Sequence, residues 1–161
     1  MTTATTYPSE SARAASAAES RFRIDAPIVP ARAARVVALD EPAASVARRL
    51  AGHPWAHARF YTGQADGGGL LHQLDGAAVE LEEVLTGSDV VVVLATEDGG
   101  RDTAAAIGRL CGRRGITTAG VVLGDGFEAE GAVAALRPYA RVLLLSADES
   151  DAFELLTALR V

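Results

Sequence analysis

The sequence predicts a three-layer α/β domain with a doubly wound, mostly parallel sheet, and three observations carry that expectation. Hydrophobic residues make up 49% of the chain but aromatics only 5%, so the interior is built from Ala, Val and Leu, which suits buried parallel strands under Ala-rich helices. The run Val90-Val91-Val92-Val93-Leu94-Ala95 is continuously apolar rather than alternating, as a strand covered on both faces requires. From there to the C-terminus strand and helix patterns alternate, which calls for right-handed crossovers and parallel strands. A chain of 161 residues is long enough to close one hydrophobic core.

The first 32 residues are expected to form a disordered N-terminal tail, leaving residues 33–161 as a single domain. They hold Pro8, Pro27 and Pro30 and few large apolar side chains, too little surface to offset an ordering entropy of roughly 1–2 kcal/mol per residue. Met1 to Ser20 has neither a basic n-region nor an apolar h-region, so it does not read as a secretory signal.

The first strand is expected over Arg35–Leu39, and Pro42 suits the first turn of the helix that follows, where a missing N–H costs nothing. Val46 and Leu50 mark the apolar side of that helix, and Gly52 stops it. Arg59–Tyr61 and Leu70–Leu74 read as short strands joined by the turn-rich Thr62–Gly69. Ala77–Leu85 reads as a helix, with Val79, Leu81, Val84 and Leu85 at helical intervals and Gly87 as the stop. The Val90 strand should occupy the middle of the sheet. A helix over Asp102–Arg114 follows, ending at Gly115 and burying Ile107, Leu110 and Cys111. Thr118–Leu123 is the next strand, and Gly124-Asp125-Gly126 turns into a helix containing Val133 and Leu136 that Pro138 closes. Arg141–Leu145 is the last strand, and Ser150 caps a final helix with Phe153, Leu156 and Leu159 toward the core.

Composition excludes several kinds of chemistry. All 15 basic residues are arginines, so there is no lysine for a Walker-type phosphate loop or a Schiff base. The formal net charge is -6, and no Arg-rich run is interleaved with aromatics, so nucleic acid is not an expected partner. Cys111 is the single cysteine, which leaves no internal disulfide or Cys-based zinc site and fits a reducing, cytoplasmic compartment. No stretch approaches the ~18 apolar residues of a membrane span. His53 and His57 stand four apart but are interrupted by Pro54, and His72 is the one other imidazole, so no metal is predicted. Ser146 and Asp148 have no later histidine and no G-x-S-x-G elbow. No catalytic residue is predicted. Trp55 and Tyr61 are expected to pack at the edge of the second strand, and Cys111 in the core.

In an open parallel sheet, ligands bind beyond the carboxyl ends of the strands near the topological switch point. Those ends are Asp40-Glu41, Thr96 to Thr103, Gly124-Asp125-Gly126 and Ser146-Ala147-Asp148. The first lacks the glycines of a dinucleotide fingerprint. The candidate ligand residues are therefore Thr96, Gly99, Gly100, Arg101, Asp102, Thr103 and Asp125, because Gly99 and Gly100 can expose backbone N–H groups at a helix start beside the Arg101 guanidinium. Glu97, Asp98 and Asp102 would repel a bare phosphate unless Mg²⁺ bridged them. The competing reading is an ordinary strand-to-helix turn with Asp102 as the N-cap and the glycines serving the bend.

From Glu82-Glu83-Val84-Leu85-Thr86-Gly87-Ser88-Asp89 through the Val90 strand, the Thr96–Thr103 loop and Gly115-Ile116-Thr117-Thr118-Ala119-Gly120-Val121-Val122, the chain resembles the Rossmann-like nucleotide-binding domain of the bacterial tubulin homologue FtsZ. Phe127-Glu128-Ala129-Glu130-Gly131 and Ala134 to Leu145 are similar to that family's next segments, so the resemblance spans roughly Gly76 to Ser146. It implies GTP, or another nucleotide with Mg²⁺, as the ligand. The family's phosphate loop G-G-G-T-G-T-G has shrunk to Gly99-Gly100-Arg101-Asp102-Thr103, of which Gly99, Gly100 and Thr103 carry over. Asp40-Glu41-Pro42 stands where the family has its first glycine-rich loop. Val36-Val37-Ala38-Leu39-Asp40-Glu41-Pro42 also resembles the opening of a response-regulator receiver domain, but Ala95-Thr96 stands in place of the phosphoacceptor aspartate and the required lysine is missing. The expectation is a non-catalytic binding or assembly module that engages a protein partner or itself. The alternative is a nucleotide-binding small enzyme or sensor using the mouth around Thr96, Gly100, Arg101, Thr103 and Asp125.

Overall fold

The computed structural model describes residues 29–63, 69–125 and 129–161. Positions 1–28 of the expected tail, most of the Thr62–Gly69 turn and Gly126 lie outside the described residues. Arg32, at the far end of the expected tail, donates its backbone N–H to the Arg160 carbonyl at 2.8 Å.

The α/β unit is a seven-stranded sheet with helices on both faces. Its strands are β1 (Ala34–Ala38), β2 (Ala58–Gly63), β3 (Leu70–Gln73), β4 (Ala78–Glu80), β5 (Val90–Ala95), β6 (Thr117–Leu123) and β7 (Ala140–Ala147). They lie in the order β4-β3-β2-β1-β5-β6-β7. β2, β1, β5, β6 and β7 are mutually parallel. β3 and β4 form an antiparallel hairpin that extends the sheet beyond β2. The parallel strands alone follow the 2-1-3-4-5 order of flavodoxin-like doubly wound sheets.

Two hydrophobic layers cover the sheet, and strict alternation along β1 and β5 feeds both. Val37, Val91 and Val93 pack with Leu81, Val84 and Leu85 of α2 (Leu81–Leu85), Ile107 and Cys111 of α3 (Arg101–Arg114), and Val133 and Leu136 of α4 (Glu130–Leu136). Val36, Val90, Val92 and Leu94 pack on the opposite face with Ala43, Ala44, Ala47 and Leu50 of α1 (Glu41–Ala51) and Ala152 and Leu156 of α5 (Glu149–Ala158). All six residues of β5 are buried, as the valine run predicts, and β5 lies inside the sheet between β1 and β6. Alanines on α1 let it approach the sheet closely, and Asp40 caps its start with Pro42 in the first turn.

Five local expectations are corrected. The predicted helix Ala77–Leu85 is strand β4 followed by a helix of five residues, Leu81–Leu85. Asp75-Gly76 makes a hairpin turn, with Gly76 at φ 98, which returns the chain to place Val79 opposite Leu71. Asp102 is not an N-cap: α3 begins at Arg101, after a 3₁₀ turn over Asp98–Gly100 whose Gly100 supplies no capping side chain. Ser150 does not cap the last helix. Asp148 does, its Oδ1 accepting from Asp151 N at 2.9 Å while its own N–H donates to the Asp151 carboxylate at 2.8 Å; this reciprocal pair satisfies two donors that one serine cannot. Phe153 lies on the outside, 36% exposed, its ring tilted against those of Trp55 and His53 with centroid separations of 5.3 Å and 4.8 Å. The Trp55 indole donates to the Leu50 carbonyl at 2.7 Å, so Trp55 sits at the end of α1 rather than along the rim of β2.

Candidate functional site

The parallel sheet has its topological switch between β1 and β5, because the chain leaves β1 toward β2 on one side and later enters β5 on the other. The crevice at the carboxyl ends of these two strands is where an open α/β sheet receives its ligand. Leu39 follows β1 and donates its N–H to the Leu94 carbonyl of β5 at 2.9 Å, which holds the two strand ends together. Asp40 comes next, and its carboxylate occupies the crevice.

That carboxylate accepts four hydrogen bonds. Oδ1 takes the Ala43 N–H at 2.9 Å, as the N-cap of α1, and the Thr96 hydroxyl at 2.5 Å. Oδ2 takes the N–H groups of Thr96 at 2.7 Å and Glu97 at 2.9 Å. Three backbone amides and a hydroxyl converging on one anion are the donor set by which strand-to-helix loops hold phosphate oxygens. Here the anion is the protein's own.

The next turn is closed in a related way. Gly100 is buried, and a Cβ placed there would collide with the Leu39 side chain. Asp98 accepts the Gly131 N–H at the start of α4. Thr103 is buried, with its methyl group toward Gly63. Of the predicted ligand residues, then, Thr96 is bound to Asp40, while Gly100 and Thr103 serve packing. Gly99, Arg101 and Asp102 are exposed on the first turn of α3 and the connection before it. Asp125 is exposed after β6, and its backbone carbonyl accepts the Ser146 hydroxyl at 3.3 Å. The stretch from Thr96 to Thr103, the exit of β5 and the first turn of α3, thus holds six of the seven predicted residues, and its Thr96 and Glu97 amides face Asp40.

Two residues with a direct part in this arrangement, Asp40 and Asp98, are not among the predicted ligand residues. For Asp40 a signal was present: a carboxylate at the end of the first strand, two residues before a proline, is an N-cap pattern at the position where a phosphate-binding sheet carries glycine. Asp98 has no comparable signal, since its partner Gly131 is 33 residues away.

Elsewhere, Cys111 is buried, and desolvation pushes its thiol above the ordinary value against the smaller, opposing effects of a Thr118 hydrogen bond and the Arg114 charge. A raised thiol is the opposite of what a nucleophile needs. Arg35 is buried in β1, its Nε donating to the Val84 carbonyl at 2.8 Å; burial lowers its pKa. Among the described residues no group of three or more His, Cys, Asp or Glu side chains is placed to hold a metal ion, and no helix is long and apolar enough to cross a membrane. The chain matches no known family description, and no curated protein matches it.

Proposed function

We propose that this chain is a non-catalytic Rossmann-like binding or assembly module, acting on a protein partner rather than on nucleic acid, in the cytoplasm. The observation that carries the reading is the Asp40 carboxylate seated on the Ala43, Thr96 and Glu97 amides. A phosphate would have to displace that carboxylate and then sit beside it. Two like charges about 4 Å apart repel by about 4 kcal/mol at an effective dielectric constant of 20, before Glu97, Asp98 and Asp102 are counted. Magnesium would reduce the repulsion but would still leave the amides occupied.

The far edge of the sheet supports the partner reading. Among the described strands β7 is an edge strand of eight residues carrying Leu145 at 48% exposure, and an open apolar edge is a site at which another chain can add. The test is the melting temperature of the full chain with GTP, ATP and NAD, each with and without Mg²⁺. Saturation at ~100 times the dissociation constant stabilises by about 2.7 kcal/mol. The module reading expects an unchanged melt across the panel, and a dose-dependent rise with any of these nucleotides would overturn it in favour of the nucleotide-binding alternative.

A further inference from the structure

Away from the switch point, the outer face of α3 carries two exposed guanidiniums, Arg109 and Arg113, one helical turn apart on the same side. Neither makes an ion pair or hydrogen bond with a described residue, whereas the neighbouring Arg114 is held by Glu82, through its carbonyl at 3.0 Å and its carboxylate at 3.5 Å. Arg109 and Arg113 line a groove of about 500 Å³ together with Gly112 and Tyr139.

The tyrosine ring is seated on the helix by two glycines. A Cβ at Gly108 would run into the ring, and one at Gly112 would press on its other edge at 3.3 Å. Each mid-helix glycine costs about 0.8–1.0 kcal/mol relative to alanine, so the close approach of Tyr139 is kept against the preference of the helix. The helix dipole accounts for arginines near the C-terminal end of α3, but not for an aromatic ring laid over Gly108 and Gly112 and left 36% exposed. The Tyr139 hydroxyl has no partner among the described residues. Arg137 and Arg141, two residues to either side, are also exposed and make no ion pair with a described residue. Two guanidiniums and a phenol therefore line one groove on a chain whose formal net charge is -6.

We infer that this groove docks an acidic segment of a partner protein, whose carboxylates take the Arg109 and Arg113 forks while its backbone and aliphatic stems lie on the Tyr139 ring. Bidentate guanidinium–carboxylate pairs supply specificity, and the ring supplies an apolar floor that a free phosphate would not use. A nucleic acid fits poorly because two guanidiniums one helical turn apart form no extended basic track for a phosphate backbone. The inference rests on the binding-module reading and gives that module a partner chemistry.

The test uses the full chain and a short fluorescein-labelled oligoglutamate peptide, followed by fluorescence anisotropy. Saturable binding is expected, weakened at least tenfold in the Arg109→Ala/Arg113→Ala variant. It should change less than twofold in Arg48→Ala/Arg49→Ala, which removes the same charge from α1. All four arginines are exposed, and matching melting temperatures verify folding. Absence of binding to the natural chain, or an equal loss in the α1 control, would overturn the assignment. So would displacement of the peptide by millimolar inorganic phosphate, which would make the groove a small-anion site. Self-association abolished by the groove variant would give the groove to a second copy and equally overturn it. A negative peptide result with a nucleotide-insensitive melt removes the groove alone, whereas a nucleotide-sensitive melt removes the module reading.

Discussion

Replacing Asp40 by alanine removes one carboxylate and four hydrogen bonds at once, so it tests both stability and the closure of the crevice. Loss of an aspartate N-cap costs about 1 kcal/mol. The bonds from Thr96 N, Thr96 Oγ1 and Glu97 N tie the exit of β1 to the exit of β5. Asp40 is half-buried and Glu97 exposed, so water recovers part of their energy, and a net contribution of about 2 kcal/mol for the three together is a reasonable figure. The sum, about 3 kcal/mol, lowers the melting temperature by about 12 °C at roughly 4 °C per kcal/mol for a domain of this size. The same substitution frees three amides and a hydroxyl around a vacated anion position. Phosphate or sulfate at tens of millimolar should therefore raise the melting temperature of Asp40→Ala by several degrees more than that of the natural chain. The assay is thermal unfolding by circular dichroism with and without phosphate, using chloride at matched ionic strength as the reference. A drop smaller than about 2 °C, within the usual range for inert surface changes, would refute the tie between the strands. Identical phosphate responses of the two proteins would refute the claim that Asp40 occupies an anion site.

Gly100→Ala drives a Cβ into the Leu39 side chain and should destabilise by about 1–3 kcal/mol, whereas at Gly99 a Cβ meets nothing within 4 Å and Gly99→Ala should change stability by less than about 0.5 kcal/mol in denaturant melts. The Cys111 thiol, raised by burial, should react with a thiol-specific disulfide reagent at pH 8 far more slowly than in urea-unfolded chain, with a rate that follows local opening; labelling as fast as that of the unfolded chain would contradict its place on the buried face of α3. Glu41, held below its ordinary value of 4.5 first by the hydrogen bond from Arg48 and then by its charge, contributes fully above that value and loses its contribution as pH falls through the lowered folded-state value. A carboxyl NMR titration should give a lower midpoint for Glu41 in the natural chain than in Arg48→Ala.

Much of the fold is legible because its central strands have little choice. A run such as Val90 to Ala95 can be covered only from both faces, and the Ala-rich segments around it supply helices able to lie close. The hairpin is where periodicity misleads. Val79 shares a helical spacing with Leu81, Val84 and Leu85 but belongs to β4, and the better local signal was Asp75-Gly76, a turn pair between two apolar stretches. Capping was misassigned for a related reason. Ser150 and Asp102 are acceptable N-cap residues taken singly, yet Asp148 gains a reciprocal bond from Asp151, and the 3₁₀ turn over Asp98–Gly100 starts α3 before Asp102.

The candidate site was legible as a place but not as a chemistry. The acidity of the loop after β5 is visible in Glu97, Asp98 and Asp102, and the missing glycines after the first strand in Asp40-Glu41-Pro42. What links them is a contact across 56 residues of sequence, between Asp40 and Thr96, and only the pairing of β1 with β5 brings it about. Gly100 shows the same limit. Read along the chain it offers a free amide to a ligand, whereas in the fold it exists so that Leu39 can lie against it.

The central claim is that the switch-point amides are already engaged by Asp40. The most direct measurement is a ¹⁵N–¹H NMR titration of the full chain with GTP and Mg²⁺, following the amides of Ala43, Thr96 and Glu97. The account predicts that these three resonances stay in place to millimolar nucleotide in the natural chain. A saturable shift of all three in the natural chain, with Asp40 displaced, would contradict it.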